Sequence, residues 1–143
     1  MTRVDFYTSA KDKLGTACLL SAKALAQGLK VTILTPDHET SRKLDEMLWR
    51  IPQTGFIPHC MATDPLAAET PVLIDEDGKN PLQDEVLLNL GRHAPPSFSR
   101  FRRLVEIIGE EEEDIRAGRE RYRFYRDRGY ETHHHKLNGG DEA

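Results

Sequence analysis

Residues 29–37 read Leu-Lys-Val-Thr-Ile-Leu-Thr-Pro-Asp, and the assignment of a fold class rests on this stretch. Its first six residues are rich in β-branched and aliphatic side chains, which predicts a strand. The Thr-Pro-Asp that follows offers two capping side chains and predicts the start of a helix that continues to residue 49. Before it, residues 3–8 predict an earlier strand, and residues 11–27 carry apolar side chains at helical spacing. The order strand, helix, strand, helix is typical of a parallel sheet with crossover helices.

Shorter elements of the same kind follow in the second half of the chain. Proline and glycine recur in residues 51–71, which predicts a loop. Three further strands are predicted, over residues 71–74, 85–90 and 104–108. A final helix is predicted over residues 110–128. We therefore expect one α/β domain over residues 1–130, with a three-layer, mostly parallel, Rossmann-like sheet, and a flexible tail over residues 131–143.

The bulk properties of the chain exclude several classes of protein. No apolar run in the sequence approaches the ~20 residues that a membrane-spanning helix needs. A net charge of −4 at pH 7 argues against a protein that coats nucleic acid, since such a protein needs a basic surface, and no direct nucleic-acid partner is expected. The N-terminus lacks the features of a secretory signal, so Cys18 and Cys60 are interpreted as reduced thiols in a cytoplasmic protein.

No stretch of the sequence carries the pattern of a catalytic, metal or cofactor site. The loop over residues 8–15 holds one glycine and matches neither the dinucleotide fingerprint nor the P-loop. The consecutive histidines at 133–135 cannot present a fixed coordination geometry without partners. Adjacent residues such as His59 and Cys60 rarely place a base against a thiol. We expect no cofactor, metal or enzymatic activity. The alternative is a nucleotide- or small-molecule-binding enzyme on the same Rossmann-like fold, using the loop after the first strand.

The last predicted helix concentrates positive charge on one side. Four arginines fall within about a quarter of its circumference: Arg116, Arg119, Arg123 and Arg126. Ile115 and Tyr122 lie at the edge of this stripe. Arginine can bind a carboxylate through two N–H donors, and tyrosine and isoleucine can pack against an apolar ring. This face therefore suits a carboxylate attached to an apolar group. The alternative is a solvated face whose charges complement the helix dipole.

A second candidate surface lies in the loop after residue 49. Trp49, Phe56 and Ile57 stand there among prolines and a glycine. Aromatic side chains held by a rigid loop make good interface anchors, because they lose little conformational entropy when they bind. The alternative is that Trp49 packs inward at the end of its helix and that Phe56 covers the edge of the sheet.

Three segments of the chain are specific enough to compare with known families. They are Leu44-Asp45-Glu46-Met47-Leu48-Trp49, then Phe56-Ile57-Pro58-His59, then Arg119-Glu120-Arg121-Tyr122-Arg123-Phe124-Tyr125-Arg126 with Gly129 after it. These segments resemble those of the DNA polymerase III chi subunit family. The predicted strands fall in a compatible order, so the resemblance covers nearly the whole chain.

The resemblance implies a Rossmann-like fold without nucleotide chemistry and a non-catalytic accessory role in the clamp-loader complex of the bacterial DNA polymerase III holoenzyme. It implies two partners: the acidic C-terminal tail of single-stranded DNA-binding protein, which ends in phenylalanine, and the psi subunit or another replisome or repair protein. For the tail, the family's site maps onto Arg119, Tyr122, Arg116, Arg123, Ile108 and Gly129. For the second partner, it maps onto Phe56, Ile57, Pro58 and Trp49.

Overall fold

The computed structural model describes residues 1–50 and 57–137. Three α-helices lie in this part of the chain: α1 (Lys13–Ala26), α2 (His38–Trp49) and α3 (Glu112–Asp127). Its seven strands are β1 (Arg3–Ala10), β2 (Val31–Leu34), β3 (His59–Met61), β4 (Val72–Asp75), β5 (Val86–Asn89), β6 (Arg103–Gly109) and β7 (Glu131–Lys136). They form one sheet in the order β3-β4-β2-β5-β6-β1-β7, and every neighbouring pair is parallel. This confirms the predicted α/β class with a Rossmann-like sheet.

Helices cover both faces of the sheet. On one face, α1 and α2 pack through Cys18 and Leu44 onto strand residues such as Ile33. On the other face, α3 packs through Tyr125 onto a separate cluster that includes Leu104. Successive side chains of a strand point to opposite faces. Strand β5, for example, contributes Leu88 to the first cluster and Leu87 to the second. The arrangement has three layers, with the sheet in the middle.

An aspartate caps the N-terminus of each of the helices α1 and α2. Asp37 accepts a hydrogen bond from the Thr40 N–H at 2.8 Å and is therefore the cap of α2. Asp12 caps α1 by accepting from the Gly15 N–H at 3.0 Å. These two carboxylates satisfy backbone donors that a helix start would otherwise present to a ligand.

Strand β3 lies in the region that proline and glycine predict to be a loop. Its residues 59–61 pair with residues 72–74 of β4. An edge strand of three residues needs no long apolar run, because only one of its sides is paired. The composition of residues 51–71 therefore carries no signal for it.

Strand β7 corrects the prediction that a flexible tail begins at residue 131. It pairs in parallel with β1, from Arg3 opposite Glu131 to Thr8 opposite Lys136. The buried Leu137 then donates its N–H to the Thr8 carbonyl at 2.9 Å. The polar composition of β7 fits its place at the edge of the sheet, where an apolar run is not required. Residues 138–143 lie outside the described residues.

A buried carboxylate joins three strands at this edge of the sheet. Asp5 on β1 accepts hydrogen bonds from Arg103 at 2.7 Å and from Arg3 at 3.2 Å, and its Oδ1 lies 2.9 Å from Nε2 of His135. Burial raises the pKa of the Asp5 carboxyl group. The hydrogen bonds with His135 and Arg103 outweigh this effect and hold the pKa below its usual value.

We expect Asp5 to make the fold sensitive to acid. A carboxyl group whose pKa is lower in the folded state stabilises the fold above its ordinary pKa of 3.8, and that contribution is lost as the pH falls through the lower folded value. Denaturant unfolding at neutral pH and at about pH 3 should show a larger loss of stability for the natural chain than for Asp5→Asn. Equal losses in the two chains would contradict this assignment.

Candidate functional site

An apolar pocket opens between α3 and the carboxyl ends of β1 and β6. Its volume is about 620 Å³. Strand residues Phe6, Ile108 and His134 line it from one side, and Ile115 and Tyr122 of α3 line it from the other. Ligand pockets in proteins commonly measure roughly 300–1,000 Å³. The pocket is therefore large enough for a small molecule or the end of a peptide.

The pocket brings together three residues of the predicted tail site: Ile108, Arg119 and Tyr122. Arg116 and Arg123 lie on α3 with exposed side chains, but they do not line the pocket. Gly129 follows the end of α3 with a φ of 82°, the left-handed conformation that glycine favours just beyond a helix. Its place in the structure is to end the helix, outside the pocket.

Arg119 lies at the rim of the pocket with an exposed side chain. No hydrogen bond or ion pair engages its side chain within residues 1–50 and 57–137. By contrast, Arg92 pairs with Glu113 at 3.2 Å, and Arg103 pairs with Asp5 at 2.7 Å. The Arg119 guanidinium is therefore available to a ligand at the rim of the pocket.

Tyr122 forms one wall of the pocket. Its ring meets that of Phe6 edge-on, with ring centroids 5.6 Å apart and an interplanar angle of 69°. The guanidinium carbon of Arg126 lies 5.7 Å from the centre of the Tyr122 ring. These contacts orient the ring, while 38% of the residue stays exposed and accessible to a ligand.

Gly118 sets the depth of the pocket. It lies in the middle of α3, where glycine costs about 1 kcal/mol relative to alanine. A Cβ atom at this position would overlap the end of the Ile108 side chain. Ile108 can therefore pack beneath the helix only because Gly118 has no side chain. The sequence reasoning missed Gly118, although a glycine inside a highly charged helix was a signal that could have found it.

A buried ionic cluster anchors α3 to the sheet. Glu106 on β6 is fully buried and accepts hydrogen bonds from Arg121 at 2.9 Å, Tyr125 at 2.5 Å and Asn89 at 3.0 Å. Arg121 also donates to the Arg92 carbonyl at 2.7 Å. Three donors and one opposite charge thus surround a carboxylate that has no access to water.

The electrostatics of this cluster fix the position of the helix. Burial raises the pKa of Glu106, and the charge of Arg121 works against that rise. Burial and the neighbouring carboxylate also raise the pKa of Tyr125, so its hydroxyl stays protonated and donates. Since Arg119 and Tyr122 lie on the same helix, the cluster sets where they stand over the pocket.

Asp114 is the buried residue of the acidic block at the start of α3. Asp114 accepts a hydrogen bond from the Gly109 N–H at 2.6 Å and another from Lys13 at 3.0 Å. Burial raises the pKa of Asp114, but these two groups outweigh it, and the pKa lies below its usual value. The bonds fix the junction between β6 and α3. At that junction, Glu110 brings a negative charge to the pocket wall.

In the second predicted surface, the aromatic side chain of Trp49 packs against the buried His59. Trp49 is 58% exposed, and its ring centroid lies 4.7 Å from that of His59. The His59 ring is held on both sides, by Asp45 Oδ1 at 3.0 Å from Nε2 and by the Ile57 carbonyl at 2.7 Å from Nδ1. Both ring nitrogens of His59 are therefore engaged by groups other than the adjacent cysteine.

The other predicted residues of this surface are Ile57, Pro58 and Phe56. Ile57 is buried in the core at 1% exposure, so its side chain is not at the surface in this structure. Pro58 is partly exposed. Phe56 lies outside the described residues.

Comparison with known proteins settles which family this is. The family model described as DNA polymerase III chi subunit, HolC, matches residues 1–133. The chain belongs to the DNA polymerase III chi subunit family. The DNA polymerase III subunit chi of Pseudomonas aeruginosa is 36% identical over 141 residues, covering 96% of this chain and 98% of the relative. The chi subunits of Haemophilus influenzae and Escherichia coli are 29% and 28% identical, covering 80% and 79% of this chain and 80% and 78% of their own.

Membership in the chi family confirms the resemblance that the three sequence segments indicated. The chain is accordingly an accessory subunit of DNA polymerase III with a part in DNA replication. Within the described ranges, no helix has the length and apolar character needed to cross a membrane.

A second crevice of this chi-family chain lies outside the carboxyl ends of its strands, where parallel α/β proteins often bind ligands. Its volume is about 810 Å³, and Lys13, Asp37 and Asp114 are among the residues that line it. Lys13 and Asp114 neutralise each other across it. The caps Asp12 and Asp37 occupy helix-start N–H groups of the kind that hold phosphate in nucleotide-binding proteins. At each of these two helix starts, one N–H group is therefore already bound to a carboxylate.

Proposed function

We propose that this chi-family subunit holds the acidic C-terminal tail of single-stranded DNA-binding protein in the α3 pocket and so links that protein to the clamp-loader complex of DNA polymerase III. One observation carries the proposal. Arg119, which has no ion-pair partner among the described residues, meets an apolar wall of Phe6, Ile108 and Tyr122 in a single cavity. A peptide end with a phenyl ring and a free carboxylate needs both features.

Each part of the tail has a counterpart at the pocket. The terminal phenyl ring packs between Tyr122 and Ile108. Arg119 binds the terminal carboxylate, because a guanidinium presents two N–H donors in the geometry of a carboxylate. The aspartates that precede the phenylalanine lie in the positive potential of Arg116 and Arg123 on the exposed side of α3.

The surface around Trp49 and Pro58 is assigned to the second partner, the psi subunit or another replisome or repair protein. A braced, exposed aromatic side chain makes a rigid interface anchor. Trp49 lies beside β3 at one edge of the sheet, whereas the tail pocket lies beside β7 at the other. This separation lets the two partners bind together. The subunit acts as an adaptor without catalysis, and we expect it in the cytoplasm, where bacterial replication takes place.

The proposal is tested by fluorescence polarisation with an acidic peptide of about ten residues that carries an N-terminal label and ends in a free phenylalanine. We expect a dissociation constant in the micromolar range, near −8 kcal/mol. The same peptide with an amidated C-terminus, and one with alanine in place of phenylalanine, should bind much more weakly. Absence of binding, or equal binding of all three peptides, would contradict the proposal.

Gly118→Ala is expected to weaken peptide binding about tenfold, since one methyl group in an apolar pocket is worth at least that factor. The new methyl group overlaps the flexible end of Ile108, which must turn and narrow the cavity. The fold should survive, because alanine is the better helix residue. Polarisation measures the affinity and thermal unfolding measures the stability. Ala117→Gly, on the same turn but outside the pocket lining, should leave binding unchanged.

A further inference from the structure

His134 stands apart from the two histidines beside it on β7. Because side chains alternate along a strand, His133 and His135 point to one face of the sheet and His134 to the other. His135 contacts Asp5, and His133 contacts Glu131. His134 instead lies on the face that carries α3, and it lines the α3 pocket.

The contacts of His134 leave one ring nitrogen available. Its Nε2 lies 2.8 Å from the Thr8 hydroxyl, which can donate to a neutral ring or accept from a protonated one. This bond is therefore compatible with both charge states of the ring. Within the described part of the chain, no hydrogen bond engages Nδ1.

The titratable and charged groups near His134 come from α3, from the junction after β6 and from β7 itself, while β1 contributes only uncharged residues to the pocket. Arg119 and Tyr122 face it from α3, and Glu110 faces it from the junction after β6. Lys136 lies two residues further along β7, on the same face. Arg119 and Lys136 thus bring positive charge to the surroundings of the ring, and Glu110 brings negative charge.

We infer that His134 is a binding residue for the acidic tail, and that its protonation makes tail binding stronger as the pH falls. This inference rests on the proposed function of the pocket. A protonated ring keeps its bond to Thr8 through Nε2 and presents a second N–H, at Nδ1, to a carboxylate of the tail. The carboxylates of the tail stay ionised above about pH 5. Any change of charge in the neutral range therefore takes place on the protein and not on the tail.

The inference is tested by measuring the affinity of the same labelled peptide at about pH 6 and about pH 8, the range in which imidazole groups usually titrate. The natural chain should bind about threefold more tightly at the lower pH, the size expected of one exposed charge pair. His134→Gln should remove that difference, and His134→Lys should bind tightly at both pH values. His133→Gln, changed on the opposite face of β7, should keep the pH dependence of the natural chain.

The test separates a failure of the proposed function from a failure of the inference about His134. If the natural chain binds no peptide at either pH, the proposed function is wrong and the inference falls with it. If it binds equally well at both pH values, or if His134→Gln keeps the pH dependence, the inference is overturned while the tail site stands.

Discussion

Arg121→Ala should lower the free energy of unfolding by about 3–5 kcal/mol, the usual cost of removing one partner of a buried ion pair. Arg121 is 3% exposed, and its partner Glu106 has no exposure at all. Without the guanidinium, the Glu106 carboxylate keeps its bonds to Tyr125 and Asn89 but loses the only positive charge in the cluster described here. The carboxyl group must then either stay charged without compensation or take up a proton.

Urea unfolding followed by circular dichroism measures this effect. Arg123→Ala removes the same charge from an exposed position of the same helix and should change stability by less than about 0.5 kcal/mol. Adding Glu106→Gln to Arg121→Ala should recover part of the loss, because the neutral amide needs no counter-charge. Similar stabilities for Arg121→Ala and Arg123→Ala would show that the cluster does not anchor α3.

Arg119→Ala should weaken tail binding by about ten- to a hundredfold, since a hydrogen bond to a charged group is worth roughly 1.5–3 kcal/mol. Stability should not change, because the Arg119 side chain is exposed and has no partner in the described residues. The affinity of the natural chain should also fall as salt is added, since ions screen exposed charges within about 8–10 Å.

Polarisation at low and high salt measures both effects. Arg42→Ala removes one exposed positive charge from α2, away from the pocket, and controls for the change in net charge. Its affinity should match that of the natural chain. An equal loss in Arg42→Ala and Arg119→Ala would mean that only the net charge matters, and an affinity unaffected by salt would contradict the role of Arg119.

The sequence predicts the centre of this fold better than its edges. Central strands such as β2 must bury both faces, so their residues are apolar or β-branched and easily recognised. Strands β3 and β7 lie at the two edges, where one side of the strand is unpaired. The polar stretch Glu-Thr-His-His-His-Lys forms β7 because the free edge of β1 provides the hydrogen bonds, and no local property of these six residues indicates that.

The buried face of α3 explains why the site was only partly predictable. Its buried positions are Asp114, Gly118, Arg121 and Tyr125. Their spacing is that of one helix face, but three of the four are polar or glycine, so a search for apolar periodicity cannot find them. Arg119 and Tyr122 could be predicted because their exposed side chains have the chemistry of a ligand-binding surface. Gly118 and Arg121 act through Ile108 and Glu106 on β6, and the sequence does not show that these residues meet.

The most direct test of the account is to map where the tail peptide binds. The ¹⁵N-labelled protein is titrated with the unlabelled acidic peptide, and the shifts of its amide resonances are followed by nuclear magnetic resonance. We predict that the largest shifts arise at Ile108, Gly118, Arg119 and Tyr122, with smaller ones along β7. Shifts centred instead on Trp49, or on the crevice around Lys13 and Asp37, would contradict the assignment of the α3 pocket as the tail site.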